Sequence, residues 1–445
     1  MTSGLGARLR GPLARVRIVA PLTRRRDFRR LWSGLVISLL GDGIFFVAVA
    51  WQAYALDNRP SALALVGLFA SVPQVVLLLL GGVISDRLPR VAILVVSDVA
   101  RGAALALLAV AGWSGTLQLW HLCVAGAVIG AGTAFAAPAF DSILPDLVAE
   151  EDLQHANGLD QFLRPVALRL IGPALGGVLV AAVGTSGAFA VDALSFAFSA
   201  WCLSRIAPPY VLVDASADPA ADGEATSLWA DLSGGLRHVR SNVWLWGTFT
   251  AATLTYLLFL GPTEVLLPFV VKNELHAGAG SLGFILGAGG VGALGAAAIV
   301  GQRDTLKRPV TFMYITWGAA TLLVAGYGIA MHRWQLAVLA VMINGFEAAG
   351  AVAWATLKQH HVPREMLGRV SSIDWFVSTS LMPLSYALTP VAAGLLGVRT
   401  TLVAAGLLGA AITVAFLFLP GMRVHDHPPP SPPSDRTHVA ATTPS

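Results

Sequence analysis

The sequence predicts an all-α membrane protein: twelve transmembrane helices arranged as two six-helix halves. Three observations carry that expectation. Apolar residues make up 56% of the 445-residue chain and charged residues only 12%, whereas a soluble domain solvates its surface with about 25% charge. Twelve segments meet the ~20-residue apolar length that a helix needs to cross hydrocarbon. Finally, a single offset of 218 residues aligns three separated landmarks. Asp86, Leu88 and Arg90 fall on Asp304, Leu306 and Arg308, Pro145 falls on Pro363, and Gly176 on Gly394. A duplicated membrane unit is a transporter's architecture rather than a soluble enzyme's.

The elements follow in order. Residues 1–30 hold nine of the 29 Lys and Arg residues and form a basic cytoplasmic segment. The first apolar run, 31–56, is too long for the core of a cleaved signal and is expected to remain as span one. Spans two to six are placed at 62–84, 91–112, 118–140, 162–183 and 186–206, completing an N-terminal half over 31–206. The fifth is the weakest, with Arg164 and Arg169 in its first third. The connection 207–242 begins with a flexible stretch rich in Ala, Asp and Pro. It ends in apolar residues at helical spacing, from Leu228 to Arg240, which suits a helix lying on the inner membrane surface. The C-terminal half, 243–420, carries spans at 243–271, 281–300, 309–330, 335–357, 371–396 and 400–420. The eighth is studded with Gly283, Gly287, Gly289, Gly290, Gly292 and Gly295, a composition that lets helices approach closely. The tail 421–445, rich in Pro, Ser and Thr, is expected to be disordered.

Basic residues set the orientation. With the N-terminus inside, the inner connections and ends hold 22 Lys and Arg and the outer ones four (Arg59, Lys272, Arg333 and Arg399). This positive-inside bias places both termini in the cytoplasm and the chain in the cell membrane. The net charge of +4 is therefore a topology signal, and nucleic acid is not an expected partner. Cys123 and Cys202 lie within apolar runs and offer neither a disulfide framework nor metal-ligand spacing. A phosphate-binding loop, a nucleophile elbow and a zinc-ligand helix are all missing from the sequence. The chain is thus expected to be no enzyme, to use no cofactor, and to draw on an ion gradient, most simply of protons. A monomer in the lipid bilayer is the expected state.

Ionisable residues inside the spans are the candidates for function, because a charge at midplane costs at least ~2.5–3.5 kcal/mol on insertion scales. Asp42 lies eleven residues into span one, ~16 Å by helical rise, and Glu347 twelve residues into span ten. Glu264 follows Pro262 in the outer half of span seven. Such a group must pair, face water or hold a proton, so each of the three either couples transport to protons or makes an interhelical hydrogen bond. Asp192, in the outer part of span six, reads as structural. Asp98 and Arg101, three apart on one face of span three, can neutralise each other and suit a gate. Arg164, Arg169 and Asp374, near the cytoplasmic ends of their spans, join that gate or snorkel to headgroups. Gln52, Gln74, Tyr256, Asn344, Trp354 and Tyr386 are candidates for lining a substrate cavity, as are Trp51 and His121, although His121 also suits the membrane interface. Drug-type cavities are largely apolar with a few orienting polar groups.

The stretch Gly82-x-x-x-Asp86-Arg87-x-x-Arg90 between spans two and three, combined with two parallel six-span halves, resembles the signature loop of the major facilitator superfamily. Pro89, Val91 and Ala92 depart from that pattern. Other stretches are similar to the proton-coupled drug and siderophore exporters of the enterobactin-exporter and macrolide-efflux type. They are Phe28 to Trp32, Leu40-Gly41-Asp42, Ser97-Asp98-x-x-Arg101, Leu144 to Val148, Arg169 to Gly177, Asp192 to Phe196, and Val362 to Ser372. The resemblance implies the major facilitator fold and proton-coupled export of a small amphipathic molecule by alternating access. Its cavity would be lined mainly by spans one, four, seven and ten. It also implies that Asp86 latches the halves by facing the start of span eleven near Ser371, with Arg90 paired to acids such as Asp98. Uptake by symport, or a membrane sensor that keeps the fold without transporting, are the alternatives.

Overall fold

The structure, a computed structural model, describes residues 25–148, 156, 159–160, 162–206, 228–303 and 306–426. The side chains of residues 79, 81–87, 145–146, 228–233 and 364–365 lie outside that description. So do most of the basic N-terminal segment, the first part of the linker, most of the tail, the side chains of Gly82, Asp86 and Arg87, and the repeat landmark Asp304.

Among the described residues the regular structure is helical. The crossing helices are Arg26–Leu56, Pro60–Arg87, Arg90–Trp113, Leu119–Leu147, Val243–Glu274, Ala279–Gly301, Pro309–Ile329, Arg333–His361, Met366–Leu396 and Val398–Leu417, together with one 43-residue stretch, Phe162–Ser204. At ~1.5 Å per residue that stretch would run to about 65 Å, twice the ~30 Å hydrocarbon layer. It is two spans. Gly184 breaks it with φ 74° and ψ 176°, a conformation open to glycine because it lacks a Cβ. The pieces on either side of Gly184 pack along span one in opposite directions. In span five, Gly172 and Gly176 meet Gly43 and Ile44; in span six, Ser199 and Ser195 meet Gly34 and Gly41. Twelve crossings result.

Glycine contacts explain why these helices sit so close, since backbone surfaces can touch only where side chains are absent. A Cβ on Gly43 would lie 2.7 Å from Gly172 Cα. The same device joins the two halves: Gly283 of span eight meets Gly177 of span five, and Gly67 of span two lies under the Tyr386 ring of span eleven. Tyr54 Oη adds a hydrogen bond to the Val265 carbonyl at 2.6 Å, and Lys272 Nζ reaches the Trp51 carbonyl at 3.3 Å. These contacts run from the middle of the bundle to the end opposite the linker helix, Leu228–Ser241. That helix packs on the other end of span eleven, where Gly235 faces Arg369 and Ile373.

The last described residues fasten span nine. Asp426, 4% exposed, accepts the Val310 N–H at 2.8 Å and the Thr311 N–H at 3.1 Å, satisfying orphan donors at a helix start. Asp426→Ala is expected to cost about 1 kcal/mol and to lower the melting midpoint of the detergent-purified protein, while Asp426→Asn keeps most of the cap.

His425, one residue earlier, lies 3.8 Å from the His361 ring and 5.0 Å from Trp244, centroid to centroid. Burial, then the neighbouring His361, lowers its pKa from the ordinary 6.5 to about 4. A depressed base is held neutral in the packed state, whereas the detached segment takes up its proton already near pH 6.5. The stability of this contact is therefore complete above pH 6.5 and declines as pH falls from there towards 4. Hydrogen–deuterium exchange of residues 418–426, corrected for intrinsic rates, is expected to speed up between pH 7.5 and 5. His425→Phe should abolish that dependence.

Candidate translocation site

Span seven is bent where the site forms. Pro262 and Pro268 interrupt its hydrogen-bond ladder, which widens into π-helical turns at Pro262–Leu266 and Val270–Glu274, a form often found at functional sites. Ser385 of span eleven enters the ladder just before the first bend. Its hydroxyl receives the Gly261 N–H at 2.8 Å and donates to the Leu257 carbonyl at 2.7 Å. Glu264 occupies the first π turn, and its carboxylate accepts a hydrogen bond from the buried Tyr386 hydroxyl.

A cavity of about 310 Å³ opens between the halves. It brings together Asp42 of span one, Glu264 of span seven and Glu347 of span ten, the three deep acids of the sequence. Among the described residues Arg169 is the only cation in its lining; Asn344 adds an amide, and Phe46, Phe259, Leu286 and Tyr327 supply apolar surface. Two smaller cavities adjoin it. Glu264 and Tyr386 border one of about 130 Å³, and Glu347 and Tyr256 border another of about 50 Å³. Glu264 and Glu347 thus each stand in a wall between two spaces.

The helices around the main cavity differ in part from the expected set. Spans one, five, seven, eight, nine and ten contribute, and span four reaches only the 130 Å³ space, through Gly126 and Ile129. The reason is packing. Gly126 and Gly130 of span four press against Val66 and Ala70 of span two, while Gly290 of span eight draws the Arg169–Leu170 backbone of span five to the interface.

The other candidates are dispersed. Asn344 lines the cavity but spends its amide on the Ala340 carbonyl at 3.0 Å. Gln52 receives the Thr185 hydroxyl and ties span one to the start of span six. Gln74 is partly buried on span two and borders none of the three cavities. Trp354 is packed edge-on against Trp244 and Phe249, at 5.8 Å each. Its N–H donates to Asp374 at 2.9 Å, and Asp374 also pairs with Lys358, so Trp354 anchors the linker-helix end. The Trp51 ring carries Lys272 Nζ at 5.2 Å, and His121 stacks on Trp120 at 3.7 Å.

In span three, Asp98 and Arg101 form a buried ion pair at 2.5 Å, with the guanidinium 4.4 Å from the centre of the Phe196 ring. Arg90 donates to the Ser142 carbonyl at 2.9 Å, which braces span three against the end of span four. Two features went unread in the sequence. Arg169 belongs to the cavity rather than to an end of its span, because span five shifts inward. Asp192 packs with Ser195 against Gly41, the residue before Asp42, and the Asp192–Ser195 spacing of three on one helix face was the available sign.

Twelve spans in two halves around a central, acid-lined cavity define a membrane transporter rather than an enzyme. Residues 17–441 match the family described as transmembrane secretion effector, so the chain belongs to that family, within the major facilitator superfamily. It is 24% identical over 382 residues to macrolide efflux protein A of Streptococcus pyogenes, covering 84% of this chain and 90% of that one. The multidrug efflux pump Tap of Mycolicibacterium fortuitum is 25% identical over 406 residues, covering 87% and 94%. Among solved structures, a bacterial homologue of the human lysosomal transporter Spinster, in an inward-facing and unoccupied conformation, superimposes with a TM-score of 0.66 at 14% identity. The match covers 92% of this chain and 100% of that one.

Proposed function

We propose that this protein exports a small amphipathic molecule across the cell membrane in exchange for protons, by alternating access, with both termini in the cytoplasm. The observation that carries the reading is the convergence of Asp42, Glu264 and Glu347 on one cavity between the halves. Carboxyls with water access and apolar walls can trade a proton for a ligand. Three acids facing one arginine favour a cargo bearing positive charge, and the aromatic and aliphatic walls favour an apolar body. The likeness to one protein named as a macrolide efflux protein and one named as a multidrug efflux pump supports the outward direction.

Ethidium uptake into inside-out vesicles under an imposed pH gradient tests the reading. The parent chain is expected to accumulate the dye and to stop when an uncoupler is added. Glu347→Gln is expected to lose at least tenfold of the gradient-driven rate. Uptake that ignores the gradient would contradict proton exchange, and net movement in the opposite direction would favour symport.

A further inference from the structure

A second carboxyl lies behind the cavity-facing Asp42, and the export cycle described above makes no use of it. Asp192 of span six is fully buried at 0% exposure. Its Oδ1 accepts a hydrogen bond from Ser195 Oγ at 3.0 Å, while Oδ2 is buried without a hydrogen-bond partner. Both side chains press on span one at Gly41, where even a methyl group would collide with Asp192 Oδ1 and Ser195 Oγ. Asp42, the next residue along span one, therefore follows directly on the point that Asp192 touches.

The surrounding charges are already engaged. Span three contributes Asp98 and Arg101, bound to each other at 2.5 Å. Arg164 of span five is held by Asp160 at 3.1 Å, and Arg169 lines the same cavity as Asp42. Among the described residues, Asp42 and Asp192 therefore form no ion pair of their own. Two such groups in a medium of low dielectric resist being ionised together and retain a proton between them. A purely structural acid would use both oxygens, because an orphaned buried acceptor carries a penalty of about 1–3 kcal/mol. A proton on Oδ2 turns that orphan into a donor, for which Asp42, next to Gly41 in span one, offers an acceptor.

We propose that Asp42 and Asp192 together form a proton-binding site of the N-terminal half, loaded from and emptied into the central cavity once per transport cycle. The proton passes from cavity water to the Asp42 carboxylate and on to Asp192 Oδ2, and leaves by the reverse route; no other bond changes. Asp42 is the point of exchange and Asp192 the buried store. Glu264 and Glu347 stay free to meet cargo while the pair is loaded. The proposal rests on the reading of the chain as a proton-coupled exporter, and the test separates the two.

Infrared spectra of the full chain in lipid nanodiscs read the pair without transport. At pH 7.5 the parent is expected to show the carbonyl stretch of a protonated carboxylic acid, absent in Asp192→Asn and shifted in Asp42→Asn. Ser195→Ala, which keeps both carboxyls, should move the pH at which the band is lost. A band intact in Asp192→Asn, or missing from the parent, overturns the pair. So does a pH profile unchanged in both Ser195→Ala and Asp42→Asn. In inside-out vesicles, Asp192→Asn is expected to reduce gradient-driven ethidium uptake at least tenfold while binding ethidium within twofold of the parent. Parent-like uptake in Asp192→Asn overturns the pair alone, whereas a parent that ignores the gradient overturns the export reading.

Discussion

Arg101→Ala is expected to destabilise the protein by about 3–5 kcal/mol, the usual effect of removing one partner from a buried ion pair. Asp98 and Arg101 are 4% and 9% exposed and lie 2.5 Å apart. Without the guanidinium, Asp98 would keep a charge with no counterion in a region that also holds Asp42 and Asp192. The side chain also fills space, since Gly132 of span four is in contact with its alkyl stem and Phe196 with its charged head. Asp98→Asn should be milder, because Arg101 would still face the acids nearby. Thermal unfolding in detergent, followed by size-exclusion fluorescence, gives the order: parent, then Asp98→Asn, then Arg101→Ala. An Arg101→Ala protein that melts within a few degrees of the parent would show that this pair does not hold the N-terminal half together.

Gly283→Ala is expected to leave folding nearly intact and to cut transport at least tenfold. A Cβ at this position would lie 2.5 Å from the Pro173 carbonyl oxygen and 2.7 Å from Gly177 Cα. Those are backbone atoms of the opposite half and cannot rotate away. Ordinary contact between such atoms needs ~3.5 Å or more, so spans five and eight would have to part by about 1 Å. The joined arrangement is thereby penalised relative to one in which the halves separate, and the population shifts. Gly295→Ala, on the same helix but with nothing within 4 Å of its Cβ, is the silent control. In the Asn344→Cys background, the thiol facing the cavity should react faster with an impermeant maleimide added from the side opposite the termini when Gly283→Ala is also present. Equal reactivity and equal transport in the two glycine variants would remove this contact from the cycle.

Much of the site was legible in order along the chain but not in its grouping. The depths of Asp42, Glu264 and Glu347 followed from counting residues into their spans, and all three face the cavity. The wider cavity list was scattered because a polar group in a span can be satisfied by its own or a neighbouring helix. Trp354 turned to Asp374, Gln52 to Thr185, and Asn344 to the Ala340 carbonyl. The prominence of span five, and the retreat of span four, depended on which glycine faced which neighbour. Composition alone could not assign that.

By itself the sequence determined the number of crossings, a break between residues 183 and 186 that separates spans five and six, and the twofold repeat. These depend on quantities that add up locally: transfer free energy per residue and ~1.5 Å of rise per residue. The tertiary structure alone decided which side of each helix faces the cavity, that Asp192 packs on Gly41 beside Asp42, and that Trp354 and Lys358 answer Asp374. In a membrane the lipid-facing and helix-facing sides are both apolar, so periodicity carries little record of orientation. Rotation about the helix axis is set only when glycine meets backbone and carboxyl meets its partner across two helices.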